Sequence, residues 1–186
     1  MNAQSDIIEK INKPVVLIGL MGVGKTKIGS TLAAKLRLPF EDADEEIVKS
    51  AGCSIADIFE LYGEAAFRDL EEKVITRLIG EECSSEKKVV SLGGGAVMNP
   101  SIASLVWNNA LSIWLVAELD TMVERTSAGV QVRPLLEKGD PSEILKDLME
   151  KRYSTYEKAN IHIHTDQNSV KQTIKEIIRE IDRYYA

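Results

Sequence analysis

Residues 19–26 read GLMGVGKT and follow directly on the apolar run Pro14–Ile18. This segment matches the G-x-x-x-x-G-K-[ST] phosphate-binding loop (P-loop) where the alternative is a glycine-rich turn that binds nothing, and its place between a strand-like run and a helical pattern favours the match and constrains the fold more than any other feature of the chain. Gly19, Gly22 and Gly24 permit turns that bring successive N–H groups onto phosphate oxygens. Lys25 adds a point charge, and Thr26 sets a hydroxyl where a phosphate-bound Mg²⁺ would sit. Ile28, Leu32, Ala33 and Leu36 recur at helical spacing, so the loop opens onto a helix N-terminus, which favours an anion.

A strand feeding a helix in this way is one unit of an alternating α/β chain. Further apolar runs lie around Phe40, at Val89–Leu92, at Leu111–Ala117 and at Ile161–Ile163, most of them separated by helical patterns. Five strands alternating with helices predict a parallel sheet covered on both faces. Phe67, Leu70, Val74 and Leu78 form one helical stripe, and Val170, Ile174, Ile177, Ile178 and Ile181 form another on the last helix. Ser54 with Asp57 has capping-box character, and Ser101 after Pro100 is a candidate start for the helix before the fourth strand.

Two stretches exceed what simple alternation needs. Glu45–Glu82 carries about three helical patterns between the second and third strands, which predicts an inserted substrate-binding subdomain. Ser127–Asp140 carries Gly129 and Gly139 near its ends and Arg133 between them. It reads equally as a glycine-hinged flap or as an ordinary surface loop.

With 186 residues the chain is long enough for one sizeable core and short for two, so a single domain over 1–186 is expected. Its net charge of −6 argues against a general nucleic-acid or membrane-surface binder, so Lys and Arg that meet an anion must be placed locally. Met1–Lys10 lacks a secretory pattern, and no apolar run approaches the ~20 residues of a membrane span, so a cytoplasmic location is expected. With no long exposed apolar stripe, a monomer is expected. Cys53 and Cys83 stand apart without metal-ligand spacing. His162 and His164 alternate with isoleucines, as on the solvated face of a strand.

The remaining polar candidates admit two readings each. Asp42 and Asp44, in FEDAD, are spaced to face a metal and a substrate from the end of the second strand; they fit equally a polar strand end with Asp44 capping the next helix. Gly93, Gly94 and Gly95 after the third strand permit close backbone approach to a ligand or make a plain turn. In the expected helix Ser142–Lys158, Arg152 falls within the apolar side formed by Leu145, Leu148, Met149, Tyr153 and Tyr156, so its guanidinium must meet an anion, either structural or from a ligand. Arg68, beside Phe67, is either a second anion contact or a helix-surface partner of Glu64, Asp69 or Glu72.

GLMGVGKT, FEDAD, AFRDLE, SLGGG, VRPLL and KRYSTY together resemble the shikimate kinase family in order and spacing, over nearly the whole chain. The resemblance implies a three-layer P-loop kinase fold with a five-stranded parallel sheet of order 2-3-1-4-5, a substrate-binding insertion at about 44–83 and a lid at about 127–140. It implies transfer of the γ-phosphoryl group of ATP to the 3-hydroxyl of shikimate. Lys25 and the amides of Gly22, Val23, Gly24, Thr26 and Lys27 would then hold phosphates, and Thr26 and, through water, Asp42 would hold Mg²⁺. Asp44 would bind the reacting hydroxyl, with Arg68, Arg152 and Gly93–Gly95 around the rest of shikimate. Arg133 would reach over the phosphates, while Arg125 and the loop around Thr165–Asn168, including Gln167, would frame adenine. The implied catalytic residues are Asp44, Lys25 and Arg133, and the implied partners are the small molecules ATP and shikimate. One departure stands out: the family often has R-x-P-x-Y where this chain has Arg152, Tyr153, Ser154, Thr155 and Tyr156, which leaves the helix free to continue and the aim of Arg152 open.

A gluconate kinase on the same scaffold is the nearest rival, and it would not need two arginines placed for a ring carboxylate. A nucleoside monophosphate kinase would need pockets for a base and a phosphate under a longer flap. A GTPase-like switch would need N-K-x-D and D-x-x-G motifs, and the chain has neither.

Overall fold

The computed structural model describes residues 3–127, 139–166 and 168–186. Helix α1 (Ala3–Lys10) precedes strand β1 (Val15–Ile18), followed by α2 (Lys25–Leu36), β2 (Phe40–Asp42), α3 (Ala43–Ala51) and α4 (Ile55–Ile79). The chain continues through β3 (Val89–Ser91), α5 (Pro100–Asn109), β4 (Leu111–Val116), α6 (Leu119–Ser127), α7 (Pro141–Tyr156), β5 (Ile161–His164) and α8 (Val170–Tyr184).

The five strands form one parallel sheet in the order β2-β3-β1-β4-β5. β1 is central and every residue of it is buried, as its uninterrupted Val-Val-Leu-Ile run requires of a strand covered on both faces. β5 lies at the edge, where Ile161 and Ile163 point inward and His162 and His164 outward, so the solvated-face reading of the histidines holds. Removing a large aliphatic side chain from water contributes about 1.5–3 kcal/mol, and the core buries Ile7, Ile11, Leu32, Ile75, Ile113, Ile177 and many others.

The segment expected as an insertion carries α3 and α4. The latter turns at Gly63, whose φ of 80° and ψ of 174° break the helix into two segments, so three helical patterns are three helical pieces. Only glycine adopts that conformation without strain. The capping box of Ser54 with Asp57 is present. Two boundaries differ from the sequence reading. Asn99 caps α5, its side chain accepting from Ser101 N at 2.8 Å, so the helix starts one residue before Ser101. Helix α7 begins at Pro141 behind Asp140, whose carboxylate accepts from Ser142 N and Glu143 N. On α8 the core-facing residues are Thr173, Ile174, Ile177 and Ile181, while Val170 and Ile178 pack at the margin. No helix among the described residues is long and apolar enough to cross a membrane.

Candidate active site

The loops after β1, β2 and β3 emerge at one end of the sheet, where parallel α/β folds gather ligands. The loop between β1 and α2 is the GLMGVGKT segment. Gly22 has φ 84°, and a Cβ there would lie 3.0 Å from both the Met122 carbonyl oxygen and Thr126 Cγ2, so glycine is required for backbone and space together. α3, α4, α5, α7 and α8 each start with a side chain capping a first-turn amide. By contrast the N-cap of α2 is Gly24, which has no side chain to cap with, so the first-turn amides are left for an anion. Lys25 Nζ donates to the carbonyls of Gly19 (2.8 Å) and Leu20 (2.9 Å), closing the loop on itself.

Asp42 ends β2 and is buried. One of its oxygens accepts from Thr26 Oγ1 at 2.8 Å, and the other accepts from Asp44 N at 3.0 Å and caps α3. The cap therefore belongs to Asp42, contrary to the alternative that assigned it to Asp44. Thr26 and Asp42 offer oxygen donors alone, which suit a hard cation such as Mg²⁺. No group of three or more His, Cys, Asp or Glu side chains gathers around a metal position among the described residues. A cation held there would draw its other ligands from water and phosphate oxygens, as Mg²⁺ commonly does.

Arg125, from α6, ties the P-loop to the segment after β5. It donates to Thr165 O at 2.8 Å and Thr165 Oγ1 at 3.2 Å and reaches Gly22 O at 3.5 Å. Thr165 Oγ1 in turn donates to Val23 O at 3.2 Å. Val23, Gly24, Lys27, Arg125, Thr165 and Asn168 line a cleft of about 300 Å³ beside the phosphate loop.

On the other side lies a cleft of about 390 Å³ lined by Glu64, Arg68, Gly95, Met98, Asn99 and Arg152. Three separate elements supply its chemistry: α4 gives Arg68, the loop after β3 gives Gly93–Gly95, and α7 gives Arg152. A Cβ at Gly95 would sit 3.3 Å from Arg68 Nη1 and 3.7 Å from Arg152 Nη1, so two guanidinium groups converge on one point. A Cβ at Gly93 would sit 3.0 Å from Asp44 Oδ1. Asp44 thus faces the same loop from the first turn of α3. Arg68 donates to Glu71 at 2.8 Å and Glu64 at 3.3 Å, so a pairing along the helix exists, with Glu71 in place of the expected Asp69 or Glu72. Arg152 Nη1 donates to Gly94 O at 2.9 Å, so its contact is a backbone carbonyl. Helix α7 runs through Ser154 to Tyr156, as the missing proline allows.

Sequence reasoning missed Glu71, which is only 2% exposed. Burial pushes its carboxyl up from the ordinary value; the hydrogen bond and charge of Arg68 pull it down, Asp44 pushes it up and Arg152 pulls it down. A signal existed, since position 71 follows Phe67 by four and precedes Val74 by three, inside the apolar stripe. Of the residues expected at the site, Gly22, Val23, Gly24, Lys25, Thr26, Lys27, Asp42, Asp44, Arg68, Gly93, Gly94, Gly95, Arg125 and Arg152 lie around these two adjoining clefts. Arg133, Gln167 and all of the expected lid except Ser127, Gly139 and Asp140 lie outside the described residues.

One cleft is suited to hold an anion against helix amides; the other can hold a carboxylate between two guanidinium groups with an aspartate near by. The family model described as shikimate kinase matches residues 21–182. A shikimate kinase from Novosphingobium aromaticivorans is 43% identical over 94% of this chain and 90% of its own length. The structure of shikimate kinase from Acinetobacter baumannii in complex with shikimate superposes with a TM-score of 0.87 at 29% identity, covering 98% of each chain. A gluconokinase from Sinorhizobium meliloti shares the fold alone, with a TM-score of 0.55 at 15% identity over 92% of this chain and 93% of its own. The family match over residues 21–182 and the 43% identity over nearly the whole chain make this chain a member of the shikimate kinase family.

Proposed function

We infer that the two clefts divide the family's reaction between them, one holding ATP and the other shikimate. The enzyme transfers the γ-phosphoryl group of ATP to the 3-hydroxyl of shikimate, giving shikimate 3-phosphate and ADP, in the pathway to chorismate and the aromatic amino acids. The observation that carries the assignment of residues is the convergence of Arg68 and Arg152 beside Gly95, with Asp44 at the neighbouring Gly93.

The amides of Gly22–Lys27 and the N-terminus of α2 hold the phosphates, and Lys25 exchanges its loop carbonyls for phosphate oxygens. Thr26 and Asp42 would hold Mg²⁺, which would supply positive charge against the phosphates. Arg125 and the segment Thr165–Asn168, with Gln167, frame adenine. Two guanidinium groups on one carboxylate fix the direction of the ring, so that one hydroxyl points at phosphorus. Asp44 accepts a hydrogen bond from that hydroxyl. As the new O–P bond forms and the bond to the ADP oxygen breaks, the hydroxyl proton passes to Asp44. A loose transition state requires alignment and charge neutralisation more than a strong base, so an aspartate suffices. Arg133, from a lid at about 127–140, adds positive charge over the phosphates.

The chain is one kinase domain over 1–186 with an acceptor-binding insertion at about 44–83, acting as a cytoplasmic monomer. A panel of acceptor alcohols in an ADP-release assay tests the acceptor assignment. Shikimate should give the highest kcat/KM, and gluconate no rate above the water-hydrolysis background. A faster rate with gluconate would overturn the assignment of the arginines.

A further inference from the structure

Tyr156 has no exposed surface, and a buried phenol must find a partner for its O–H. It lies four residues after Arg152 on α7, so both side chains leave the same face of the helix. They meet on one acceptor. The Tyr156 hydroxyl donates to the Gly94 carbonyl, and Arg152 Nη1 donates to the same oxygen at 2.9 Å. The two side chains are thus coupled through one shared acceptor. Both lone pairs of the Gly94 oxygen are thereby engaged.

The peptide they grip lies between the two halves of the site. A Cβ at Gly94 would sit 3.3 Å from Gly19 O and 3.7 Å from Met21 N in the P-loop, and 3.6 Å from Arg152 Nη1. The phenol ring has little freedom, with Trp114 at 5.9 Å and Tyr153 at 6.3 Å between centroids. We propose that Tyr156 is a positioning residue: by holding the Gly94 carbonyl to which the guanidinium of Arg152 also donates, it sets the aim of that arginine at the shikimate carboxylate. The inference rests on the reading of Arg152 as a carboxylate clamp. Burial pushes the Tyr156 hydroxyl up to about 12, against the pull of Arg152, so the group remains a proton donor at neutral pH.

Tyr156→Phe keeps the ring against Trp114 and removes the hydroxyl alone. Initial rates with each substrate varied in turn should show the KM for shikimate raised about 5- to 10-fold, the size of one lost hydrogen bond, and the KM for ATP changed less than about twofold. In an Arg152→Ala background the same substitution should change the shikimate KM less than about twofold, because the group it acts through is gone. An unchanged shikimate KM in the single variant, an equal rise for both substrates, or a full effect retained in the Arg152→Ala background each overturns the inference while leaving the clamp intact. If Arg152→Ala itself leaves the shikimate KM unchanged, the clamp reading falls, and the role of Tyr156 with it.

Discussion

The donor and acceptor halves of this site are built on different principles. The proposed donor half is a contiguous segment, Gly19–Thr26, which offers chiefly backbone amides and whose lysine closes on carbonyls of the same loop. The proposed acceptor half is assembled from α3, α4, the loop after β3 and α7, and the groups it offers are side chains. A loop that binds through amides is fixed by glycines and a helix start, and it serves any nucleotide-using enzyme. A cleft that binds through Arg68 and Arg152 is specific, and one substitution can change it. The difference teaches that the common part of the reaction sits in backbone geometry and the particular part in side-chain placement.

Substitutions can break this comparison, and the largest effect should come from Lys25→Ala. Losing the cation proposed to meet the phosphates should lower kcat/KM for both substrates by about 10³-fold, as measured by steady-state kinetics. A loss under tenfold would mean that the amides alone carry the donor half. Asp44→Asn should lower kcat by about 10²-fold with nucleotide affinity unchanged by calorimetric titration; near-normal kcat would remove Asp44 from the chemistry. Arg152→Ala should raise the KM for shikimate by about 30- to 100-fold and that for ATP less than about twofold. Equal changes would contradict a division between the halves.

The smallest effect should be a change in pH dependence. Burial, the leading cause, raises the Glu71 carboxyl above its ordinary value in the fold, with Asp44 adding and Arg68 and Arg152 opposing. A raised native value means that the folded state holds this proton more tightly than the unfolded chain does. The stability it contributes is therefore fully present below the ordinary glutamate value and is lost as pH rises through the native one. Glu71→Gln cannot titrate, so urea unfolding across that acidic range should show a flatter stability profile than the parent. Parallel profiles would place the Glu71 titration elsewhere.

The two halves also differed in how much of them could be read from the sequence. The P-loop, the five strands and the helix stripes follow from periodicity and local turn chemistry, because strand, loop and helix are each fixed by near neighbours in the chain. The bend of α4 was legible as a third helical pattern, although its cause, Gly63 at positive φ, was not singled out. Asp42 and Asp44 were identified, but their roles as cap and site group depended on which carboxylate meets Thr26, 16 residues away in the chain. Arg152 was expected to face inward and meet an anion, and it is half-buried against a neutral acceptor instead. Its partner at Gly94, 58 residues distant, is a carbonyl that no side-chain pattern announces. Tyr156 was read as core because an aromatic on an apolar stripe looks the same whether or not its hydroxyl has a task.

The central claim is that these two halves meet in one site to phosphorylate the 3-hydroxyl of shikimate. Phosphorus and proton NMR of purified protein with ATP, Mg²⁺ and shikimate tests it most directly, because it reports both turnover and the oxygen that receives the phosphoryl group. The account predicts ADP and shikimate 3-phosphate in equal amounts, formed at a rate that depends on shikimate. ADP release independent of shikimate, or phosphate on another hydroxyl, would contradict it.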